Sequence, residues 1–237
     1  RAAPDAEVFI GSRRTGLDIR NPDLVEQAIM GVDLVINCAA QTHVDFSLHP
    51  KLEQQANFFS TNTLGTLNVI HACRKYKVKL IHISTSEVYG SNVHPGKPMT
   101  EDHPILAQAG VYATSKAGAD LTCRMAYLTE GDNIVVLRPF NLWGPGQSVE
   151  KMFPRFIDRA LRGEELTIYG DGEQRRDYLY VKDACEAIWL AKDLPAGTIC
   201  NIATSKNSSI NEIISMFRQI FPKLKTQRVE PRKAEVR

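Results

Sequence analysis

The sequence lacks long apolar runs and has no excess of charge of one sign, and both absences exclude classes of protein. No stretch approaches the ~20 apolar residues that a membrane-spanning helix needs. The formal net charge is +2, and basic residues occur in short runs such as Arg13-Arg14 and Arg175-Arg176. Because a nucleic-acid-binding protein usually has a concentrated basic face, the sequence predicts neither a membrane protein nor a nucleic-acid-binding protein.

Cysteine is scarce, and its positions form no metal-binding or disulfide pattern. The count is odd and no Cys-x-x-Cys occurs among Cys38, Cys73, Cys123, Cys185 and Cys200. Neither a disulfide framework nor a structural zinc site is therefore indicated. Free thiols are typical of a reducing compartment, so we expect no metal centre and a cytoplasmic protein.

The pattern of apolar residues predicts an α/β fold. Short apolar runs alternate with longer helical patterns, and the first helix has Asn21 as its N-cap and Pro22 at its first position. The predicted strands are Glu7–Ile10, Val32–Asn37, Lys79–Ser84 and Asn133–Arg138, and the predicted helices are Pro22–Met30, Pro50–Tyr76 and Tyr112–Leu128. This alternation is typical of a parallel sheet that helices cover on both faces.

After Arg138 the predicted elements become shorter and more mixed. A loop over Pro139–Gln147 precedes helices at Phe153–Arg162, Lys182–Lys192 and Ser209–Phe221 and strands at Leu166–Tyr169, Tyr178–Val181 and Thr198–Ile202. We therefore predict a larger parallel α/β domain over residues 1–138 and a smaller mixed α/β lobe over residues 139–237.

Tyr112 and Lys116 form a candidate catalytic pair. Residues four apart on a helix share one face, so the Lys116 ammonium is expected beside the Tyr112 phenol. A phenol that acts as a base at neutral pH needs a pKa roughly 3 pH units below its usual value, which corresponds to about 4 kcal/mol. A positive charge about 4 Å away supplies an energy of that order, so the pair predicts a general base.

The spacing alone is not specific, because Tyr178 and Lys182 repeat it. That second pair runs from a predicted strand into a predicted helix, so its side chains need not share a face. Tyr112 differs in its context, because a predicted strand ends in the hydroxyl- and carboxylate-bearing segment Ser84–Glu87. Ligands bind beyond the carboxyl ends of parallel strands, and these groups suit a sugar, although a capped turn also explains them.

Several motifs in order along the chain resemble the extended short-chain dehydrogenase/reductase family, and within it the NAD-dependent nucleotide-sugar epimerases and dehydratases. The matching segments are Asn37–Ala40, His43–Asp45, Asn62–Thr66, Ser84–Gly90, Tyr112–Lys116, Arg138–Gln147, Tyr169–Gly172 and Arg176–Asp183. The resemblance implies a Rossmann-like, doubly wound parallel sheet with a C-terminal substrate lobe. It also implies NAD as the cofactor and a nucleotide sugar as the substrate.

The resemblance implies roles for individual residues. The catalytic residues are then Tyr112, Lys116, Thr85, Ser86 and Glu87, with Thr85 binding the sugar 4-hydroxyl and Lys116 also holding the nicotinamide ribose. The cofactor-binding residues are Asp18, Ile19, Cys38, Ala39, Ala40, Ser84, Tyr112, Lys116 and Pro139. Asn141 and Arg176 resemble the groups that bind the substrate pyrophosphate, a role that suits the planar arginine fork. Loop capping by Asn141 and an ion pair of Arg176 with Asp177 are the alternatives.

One feature of the family is not found in the sequence. The Gly-x-x-Gly-x-x-Gly turn, which lets a helix N-terminus meet the cofactor pyrophosphate, is absent, and Gly11 and Gly16 are too isolated to form it. We expect the chain to be a fragment of a longer product that lacks the first strand, turn and helix, with true loss of the cofactor site as the alternative. Arg13 and Arg14 leave NADP open as the cofactor.

Glu87 favours one reaction among those of the family. The shared first step is oxidation of the sugar at C4, with Tyr112 taking the hydroxyl proton. If Glu87 then removes the C5 proton, water leaves from C6 and the reaction is a 4,6-dehydration, with Ser86 standing where many such enzymes have aspartate, as in the Thr-Ser-Glu of GDP-mannose 4,6-dehydratases. A 4-epimerase, which tends to lack the glutamate, and a UDP-glucuronate decarboxylase, which shares Thr-Ser-Glu, stay open.

A different class of function and the assembly of the chain are also considered. A non-catalytic nucleotide-binding module of the same fold predicts broken catalytic positions, whereas those positions are intact. By analogy with relatives we expect a homodimer formed through the two long helices. The identity of the nucleotide and of the sugar stays open.

Overall fold

A computed structural model describes residues 6–42, 51–94 and 97–231, which form nine strands and seven α-helices. The strands are β1 (Leu34–Asn37), β2 (Lys79–Ile83), β3 (Ile134–Pro139), β4 (Asn141–Trp143), β5 (Leu166–Tyr169), β6 (Arg175–Tyr180), β7 (Ile199–Ile202), β8 (Asn207–Ser209) and β9 (Thr226–Val229). The α-helices are α1 (Pro22–Ile29), α2 (Leu52–Phe58), α3 (Gly65–Tyr76), α4 (Val111–Glu130), α5 (Met152–Leu161), α6 (Val181–Leu190) and α7 (Ile210–Ile220).

The described chain divides into two compact units. The first contains the described residues up to Pro139 together with Cys185–Ile202, and the second contains Phe140–Ala184 and the described residues from Ala203 onward. The division of labour between a cofactor domain over residues 1–138 and a substrate lobe over residues 139–237 stays a prediction.

The sheet of the first unit has four parallel strands in the order β1-β2-β3-β7. One face packs on a core from α1, α3 and α4, in which Ile70, Cys123 and Val136 are buried. The other face buries Ile81 and Leu137 against residues that follow α6. Because both faces are covered, the central strands β2 and β3 are mostly apolar, and the predicted parallel α/β architecture is confirmed.

Two helices of this unit begin and end as their sequences dictate. At α1 the Asn21 side chain accepts hydrogen bonds from the Asp23 and Leu24 amides, and Pro22 occupies the first helical position. Helix α4 is capped at its C-terminal end by Gly131, whose φ of 70° is the left-handed conformation that glycine adopts without a steric penalty. The predicted helices over Pro22–Met30 and Tyr112–Leu128 are thus confirmed to within a few residues.

The predicted single helix over Pro50–Tyr76 is interrupted. Pro50 lies outside the described residues, α2 begins at Leu52, and a π-helical segment over Phe59–Leu64 separates α2 from α3. A π-helical turn widens the backbone and is frequent at functional sites. Here it carries the buried side chain of Asn62.

The strand predicted over Glu7–Ile10 is wrong, since no strand is assigned between the described residues 6 and 12. The side chains of Val8, Phe9 and Ile10 are 67%, 73% and 75% exposed. A strand needs a hydrogen-bonded neighbour, and no strand of the described chain pairs with this segment.

The second unit contains two small sheets. β4 and β6 pair in parallel, β6 and β8 pair antiparallel, and β5 and β9 form a separate parallel pair. Its core buries Phe156, Leu166 and Ile214. The predicted loop Pro139–Gln147 contains β4 and the last residue of β3, so that prediction is wrong for four residues. Across the described ranges, no helix has the length and apolar character needed to cross a membrane.

Candidate active site

The carboxyl end of β2 carries the first part of the candidate site. Thr85 follows this strand in an extended conformation, and its hydroxyl oxygen accepts a hydrogen bond from the Glu87 amide at 3.3 Å. This cap begins a short 3-10 helix over Ser86–Tyr89. The Thr85 side chain is buried, whereas Ser86 and Glu87 are half-buried. The local sequence thereby places a hydroxyl and a carboxylate beside each other at the tip of the strand.

Helix α4 carries the second part. Tyr112 lies in its first turn and Lys116 one turn later, so both residues lie on the same face. The Lys116 ammonium is only 2% exposed and donates a 2.6 Å hydrogen bond to the Ile83 carbonyl at the end of β2. The helix is therefore fastened to the strand that leads into Thr85.

Tyr112, Thr85 and Glu87 lie close enough to influence one another. Burial raises the pKa of Tyr112, an interaction with the Thr85 hydroxyl lowers it, and the Glu87 charge raises it. The structure thus brings the predicted phenol, hydroxyl and carboxylate together. Loss of solvation is the largest influence on the Tyr112 pKa, and the Lys116 ammonium is bound to the Ile83 carbonyl. The role of Tyr112 as a general base stays a prediction.

Burial also perturbs Lys116. It lowers the pKa of this ammonium to about 8, although the charge of Asp120 and the thiols of Cys123 and Cys38 oppose the shift. An ammonium has three N–H donors, and the Ile83 carbonyl is its hydrogen-bond partner within the described chain. Two donors are thus left for a ligand.

A buried ion pair lies directly behind this arrangement. The Asp120 carboxylate, on α4, accepts hydrogen bonds from the Arg138 guanidinium at 2.8 and 2.9 Å and from the Ser84 hydroxyl at 2.7 Å. The Ser84 amide donates to the Leu137 carbonyl. The Ser84 hydroxyl donates its proton to Asp120, and the predicted contact of Ser84 with the cofactor stays a prediction.

A tight turn follows β1, the strand that neighbours β2 in the sheet. The Asn37 side chain, which is buried, accepts a hydrogen bond from the Ala39 amide at 3.2 Å and donates toward Thr66 and His82 at 3.4 Å. Cys38 and Ala39 are exposed and Ala40 is half-buried. The small residues Cys38, Ala39 and Ala40 thus leave the backbone accessible at the carboxyl edge of the sheet.

Asp18 and Ile19 precede α1 in the first unit. Both Asp18 carboxylate oxygens accept hydrogen bonds from the Arg20 guanidinium, at 2.5 to 3.0 Å, and this interaction holds the Asp18 pKa at about 2. Ile19 is buried, and its carbonyl accepts from the Asn68 side chain at 2.9 Å. Arg20 thus orients the carboxylate that was predicted to contact the adenine.

Sequence reasoning placed Asn62 in a segment that resembles the family but gave it no role, and in the structure it links three parts of the site. Its side chain donates to the Gln41 carbonyl at 3.1 Å and to the Ser115 hydroxyl at 2.9 Å, and it accepts from the Gln41 amide at 2.7 Å. The Ser115 hydroxyl donates to the Tyr112 carbonyl. Asn62 therefore ties the π-helical turn and the segment after β1 to the first turn of α4.

The predicted pyrophosphate-binding residues belong to the second unit and are described in their own surroundings. Asn141 begins β4, and its amide donates to the Asp177 carbonyl at 3.4 Å. The half-buried Arg176 lies in β6 and donates to the Arg175 carbonyl at 2.8 Å. The Asp177 carboxylate accepts from the Thr204 amide and hydroxyl. Both roles stay predictions, as does that of the buried Pro139 at the end of β3.

The remaining sequence observations concern the segment His43–Asp45, metal ligands and the cysteines. His43, Val44 and Asp45, which carry part of the family resemblance, lie outside the described residues. Within the described ranges, no group of three or more histidine, cysteine or acidic side chains could hold a metal ion. All five cysteines are free.

Comparison with known proteins identifies the family of the chain. The sequence profile of the NAD dependent epimerase/dehydratase family matches residues 2–203. The chain belongs to this family. The predicted resemblance is thereby confirmed, together with the α/β fold.

Among curated relatives, the low-salt glycan biosynthesis protein Agl12 of Haloferax volcanii is 41% identical over 172 residues, which are 72% of this chain and 53% of the relative. A dTDP-glucose 4,6-dehydratase of Streptomyces niveus is 38% identical over 174 residues, which are 73% of this chain and 50% of the relative. The chain thus spans about half the length of the curated relatives it matches.

Solved structures share the fold over most of this chain. A double mutant of the dTDP-glucose 4,6-dehydratase DesIV from Streptomyces venezuelae, solved with NAD, has a TM-score of 0.84 and 29% identity and covers 97% of this chain and 74% of its own. A UDP-glucuronic acid 4-epimerase from Bacillus cereus, also solved with NAD, has the same TM-score and identity and covers 93% of this chain and 69% of its own.

Proposed function

We propose that this chain belongs to an NAD-dependent enzyme that oxidises a nucleotide-linked sugar at C4, and that its overall reaction is a 4,6-dehydration. The observation that carries the proposal is the closeness of the Thr85 hydroxyl and the Glu87 charge to the Tyr112 phenol. The proposal is supported by relatives named dTDP-glucose 4,6-dehydratase and by the solved dehydratase of the same fold.

Tyr112 is proposed as the group that takes the C4 hydroxyl proton. A sugar hydroxyl between Tyr112 and Thr85 can accept from one hydroxyl and donate to the other. As the C4–H bond breaks, the hydroxyl proton moves to the Tyr112 oxygen and a C4 ketone forms. The transfer needs Tyr112 as the phenolate, whereas burial raises the pKa of the phenol. The positive charges of Lys116 and of an oxidised nicotinamide would favour the phenolate at neutral pH, and burial would keep water from competing for the proton.

The residues at the ends of β1 and β2 fit the nicotinamide and adenosine ends of a dinucleotide. Lys116 has two donors left for ribose hydroxyls, the turn Cys38–Ala40 offers accessible backbone, and Asp18 is an oriented carboxylate. The chemistry that bound NAD would supply is acceptance of the hydride from C4 and its later donation to C6, with C5 regaining a proton from solvent. We propose NAD rather than NADP, because the solved neighbours contain NAD.

Glu87 is proposed as the base that distinguishes a dehydratase from an epimerase. A C4 ketone acidifies the C5–H bond, so Glu87 can take that proton while the C6–O bond breaks. The departing hydroxyl leaves as water after taking up the proton that Glu87 removed, with the half-buried Ser86 hydroxyl as its neighbour. Asn141 and Arg176 are proposed to bind the pyrophosphate of the substrate.

Assembly and location complete the proposal. Exposed apolar side chains on α4, namely Leu121, Met125 and Leu128, follow one face of the helix, which supports a homodimer that uses this helix. The five free cysteines support the reducing cytoplasm as the location.

The proposal is tested with the gene product that contains this chain. It is incubated with NAD or NADP and a panel of dTDP-, UDP- and GDP-linked hexoses, and a 4-keto product is followed by its absorbance in alkali. A 4-keto-6-deoxy product from a sugar with a 6-hydroxyl is expected, with NAD as the preferred cofactor.

Glu87→Gln gives the sharper arm of the test. This variant should still oxidise C4, so that reduced nicotinamide accumulates, but it should not release water from C6.

Arg176→Lys is expected to raise KM, because a lysine cannot make the two parallel hydrogen bonds of an arginine. A changed C4 stereocentre without keto product indicates an epimerase, and a protein that binds no cofactor and transforms no sugar contradicts the proposal.

A further inference from the structure

The Asp120–Arg138 ion pair is the most deeply buried charge pair within the described chain. The side chains are 0% and 1% exposed, and the guanidinium donates from two nitrogens to the two carboxylate oxygens. Burying such a pair is costly, and well-packed apolar residues are often at least as stabilising. Stability alone therefore does not explain why these charges lie here.

The position of Asp120 on α4 indicates what the pair does. Tyr112, Lys116 and Asp120 are spaced four residues apart on one helix, so they form a single stripe on one face. Asp120 accepts from the Ser84 hydroxyl at 2.7 Å, and Lys116 donates to the Ile83 carbonyl at 2.6 Å. The helix that carries the phenol thus holds the two residues that immediately precede Thr85.

Arg138 extends the same support to the far end of the Ser86–Tyr89 turn. Its guanidinium donates to the Tyr89 hydroxyl at 2.9 Å and lies 5.0 Å from the centre of that ring. The Tyr89 hydroxyl donates in turn to Asn201 on β7 at 2.7 Å. The segment that carries Thr85, Ser86 and Glu87 is therefore fixed at both ends by one buried pair.

We propose that the buried Asp120–Arg138 pair is a positioning device that holds the strand tip bearing Thr85 and Glu87 against the helix bearing Tyr112 and Lys116. Neither residue of the pair contacts the substrate in this proposal; each acts through Ser84, Tyr89 or Lys116. The inference rests on the proposed function, since it assigns a catalytic consequence to the arrangement. A displacement of about 1 Å between reacting groups can lower a rate by about a hundredfold.

Asp120 also acts electrostatically on Lys116. The charged or titratable groups around this ammonium are Asp120 and Cys123 on α4, Cys38 after β1 and His82 on β2. Asp120 raises the pKa of Lys116 against the effect of burial. Removal of the Asp120 charge should therefore lower that pKa further, and the enzyme should lose its ammonium at a lower pH.

The test compares Asp120→Asn with Asp132→Asn in the gene product that contains this chain. Asp132 forms an ion pair with Arg74 at 2.8 Å and lies just before β3, at the end of the strand opposite to Arg138. Asp120→Asn should lower kcat about tenfold to a hundredfold while KM changes little. The alkaline limb of its pH–activity profile should shift to lower pH. Asp132→Asn should keep kcat within about twofold of the wild-type value and leave the alkaline limb unchanged.

Two further measurements keep the inference testable: a second variant if Asp120→Asn folds poorly, and an NMR titration if it folds but is inactive. Ser84→Ala removes one bond to Asp120 and leaves Arg138 paired, so it should fold and lower kcat without changing the alkaline limb. Titration of the Lys116 side chain by carbon-13 NMR, which needs no activity, should show a lower pKa in Asp120→Asn than in Asp132→Asn.

The outcomes separate this inference from the proposed function. If wild-type protein transforms no nucleotide sugar, the proposed function fails, and the NMR titration still decides whether Asp120 acts on Lys116. Equal kcat and equal Lys116 titration in Asp120→Asn and Asp132→Asn would overturn the inference. A fall in thermal stability of Asp120→Asn, with kcat and pH profile unchanged, would also overturn it, since the pair would then be structural only.

Discussion

Two tyrosine–lysine pairs in this chain share the same spacing but differ in their secondary structure and in the groups around them. Tyr112 and Lys116 lie on one helix, and the lysine is buried with its ammonium bound to the Ile83 carbonyl. Tyr178 lies in β6, where its ring packs on Phe153 and its hydroxyl contacts the Met152 sulfur, whereas Lys182 is exposed in the next helix. The spacing becomes a candidate catalytic pair only where one helix face and a polar strand tip meet.

The groups around the two tyrosine phenols also differ. Burial raises the pKa of both phenols, and only Tyr112 has a neighbouring threonine hydroxyl that opposes the shift and a carboxylate that adds to it. The Tyr178 phenol experiences the charge of Arg176, which lowers its pKa. A buried phenol with hydroxyl and carboxylate neighbours has the groups needed to exchange protons with a sugar, whereas Tyr178 serves the packing of its unit.

The largest expected difference between the two pairs is catalytic. Tyr112→Phe should lower kcat for the nucleotide sugar that the wild type transforms by about a thousandfold, because it removes the group that takes the proton. Tyr178→Phe should leave kcat nearly unchanged. Steady-state product formation measures both variants, and equal losses in the two would remove the distinction drawn here.

A smaller effect is expected at the strand tip. Thr85→Val keeps the shape of the side chain and removes its hydroxyl, so kcat should fall about tenfold to a hundredfold. Thr122→Val is the matched control, because the Thr122 hydroxyl donates to the Gly118 carbonyl within the same helix. Kinetics that are alike for the two variants would show that the Thr85 hydroxyl has no part in the reaction.

The two lysines should differ in stability as well as activity. The pKa of Lys116 is about 8 in the folded chain against the ordinary 10.5, so its charge opposes folding below about pH 8. Replacing it by methionine should raise the free energy of unfolding at about pH 7 by about 1–3 kcal/mol while activity is lost. Lys182→Met, at an exposed position, should change neither.

The sign of the pH dependence follows from the same pKa. Between about pH 8 and about pH 10.5 the unfolded chain binds more protons at Lys116 than the folded chain, so wild-type stability should rise with pH across this window. Lys116→Met should lack that contribution. Urea unfolding at several pH values measures the slope, and identical slopes in the two proteins would contradict the burial of a charged Lys116.

Local sequence signals predicted those parts of the fold that depend on neighbouring residues. The Asn21 cap and Pro22 predicted the start of α1, and the apolar run before Ser84 predicted the buried strand β2. The grouping of Tyr112 with Thr85 and Glu87 was predictable for a similar reason, since helix periodicity and the carboxyl ends of parallel strands obey general rules.

What could not be predicted depends on distant partners. The π-helical turn follows contacts of Asn62 with Gln41 and Ser115, which lie 21 and 53 residues away. The strand predicted at Glu7–Ile10 has the right composition, yet composition does not supply a neighbouring strand.

The buried ion pair illustrates a signal that was present but incomplete. Asp120 follows Lys116 by four residues, so sequence alone placed a carboxylate on the same helical face. Its pairing with Arg138 needed the packing of α4 beside β3, and the commitment of the Ser84 hydroxyl to Asp120 depends on the same packing. The raised pKa of Tyr112 likewise reflects three-dimensional burial rather than the spacing to Lys116.

The most direct test of the central claim, that Tyr112 takes the sugar proton at the end of β2, is a rapid-mixing experiment. The gene product that contains this chain, with NAD bound, is mixed with its nucleotide sugar, and the near-ultraviolet absorbance of reduced nicotinamide is recorded during the first turnover. Wild type and Tyr178→Phe should show this absorbance at similar rates, and Tyr112→Phe should show almost none. Rapid cofactor reduction in Tyr112→Phe would contradict the claim.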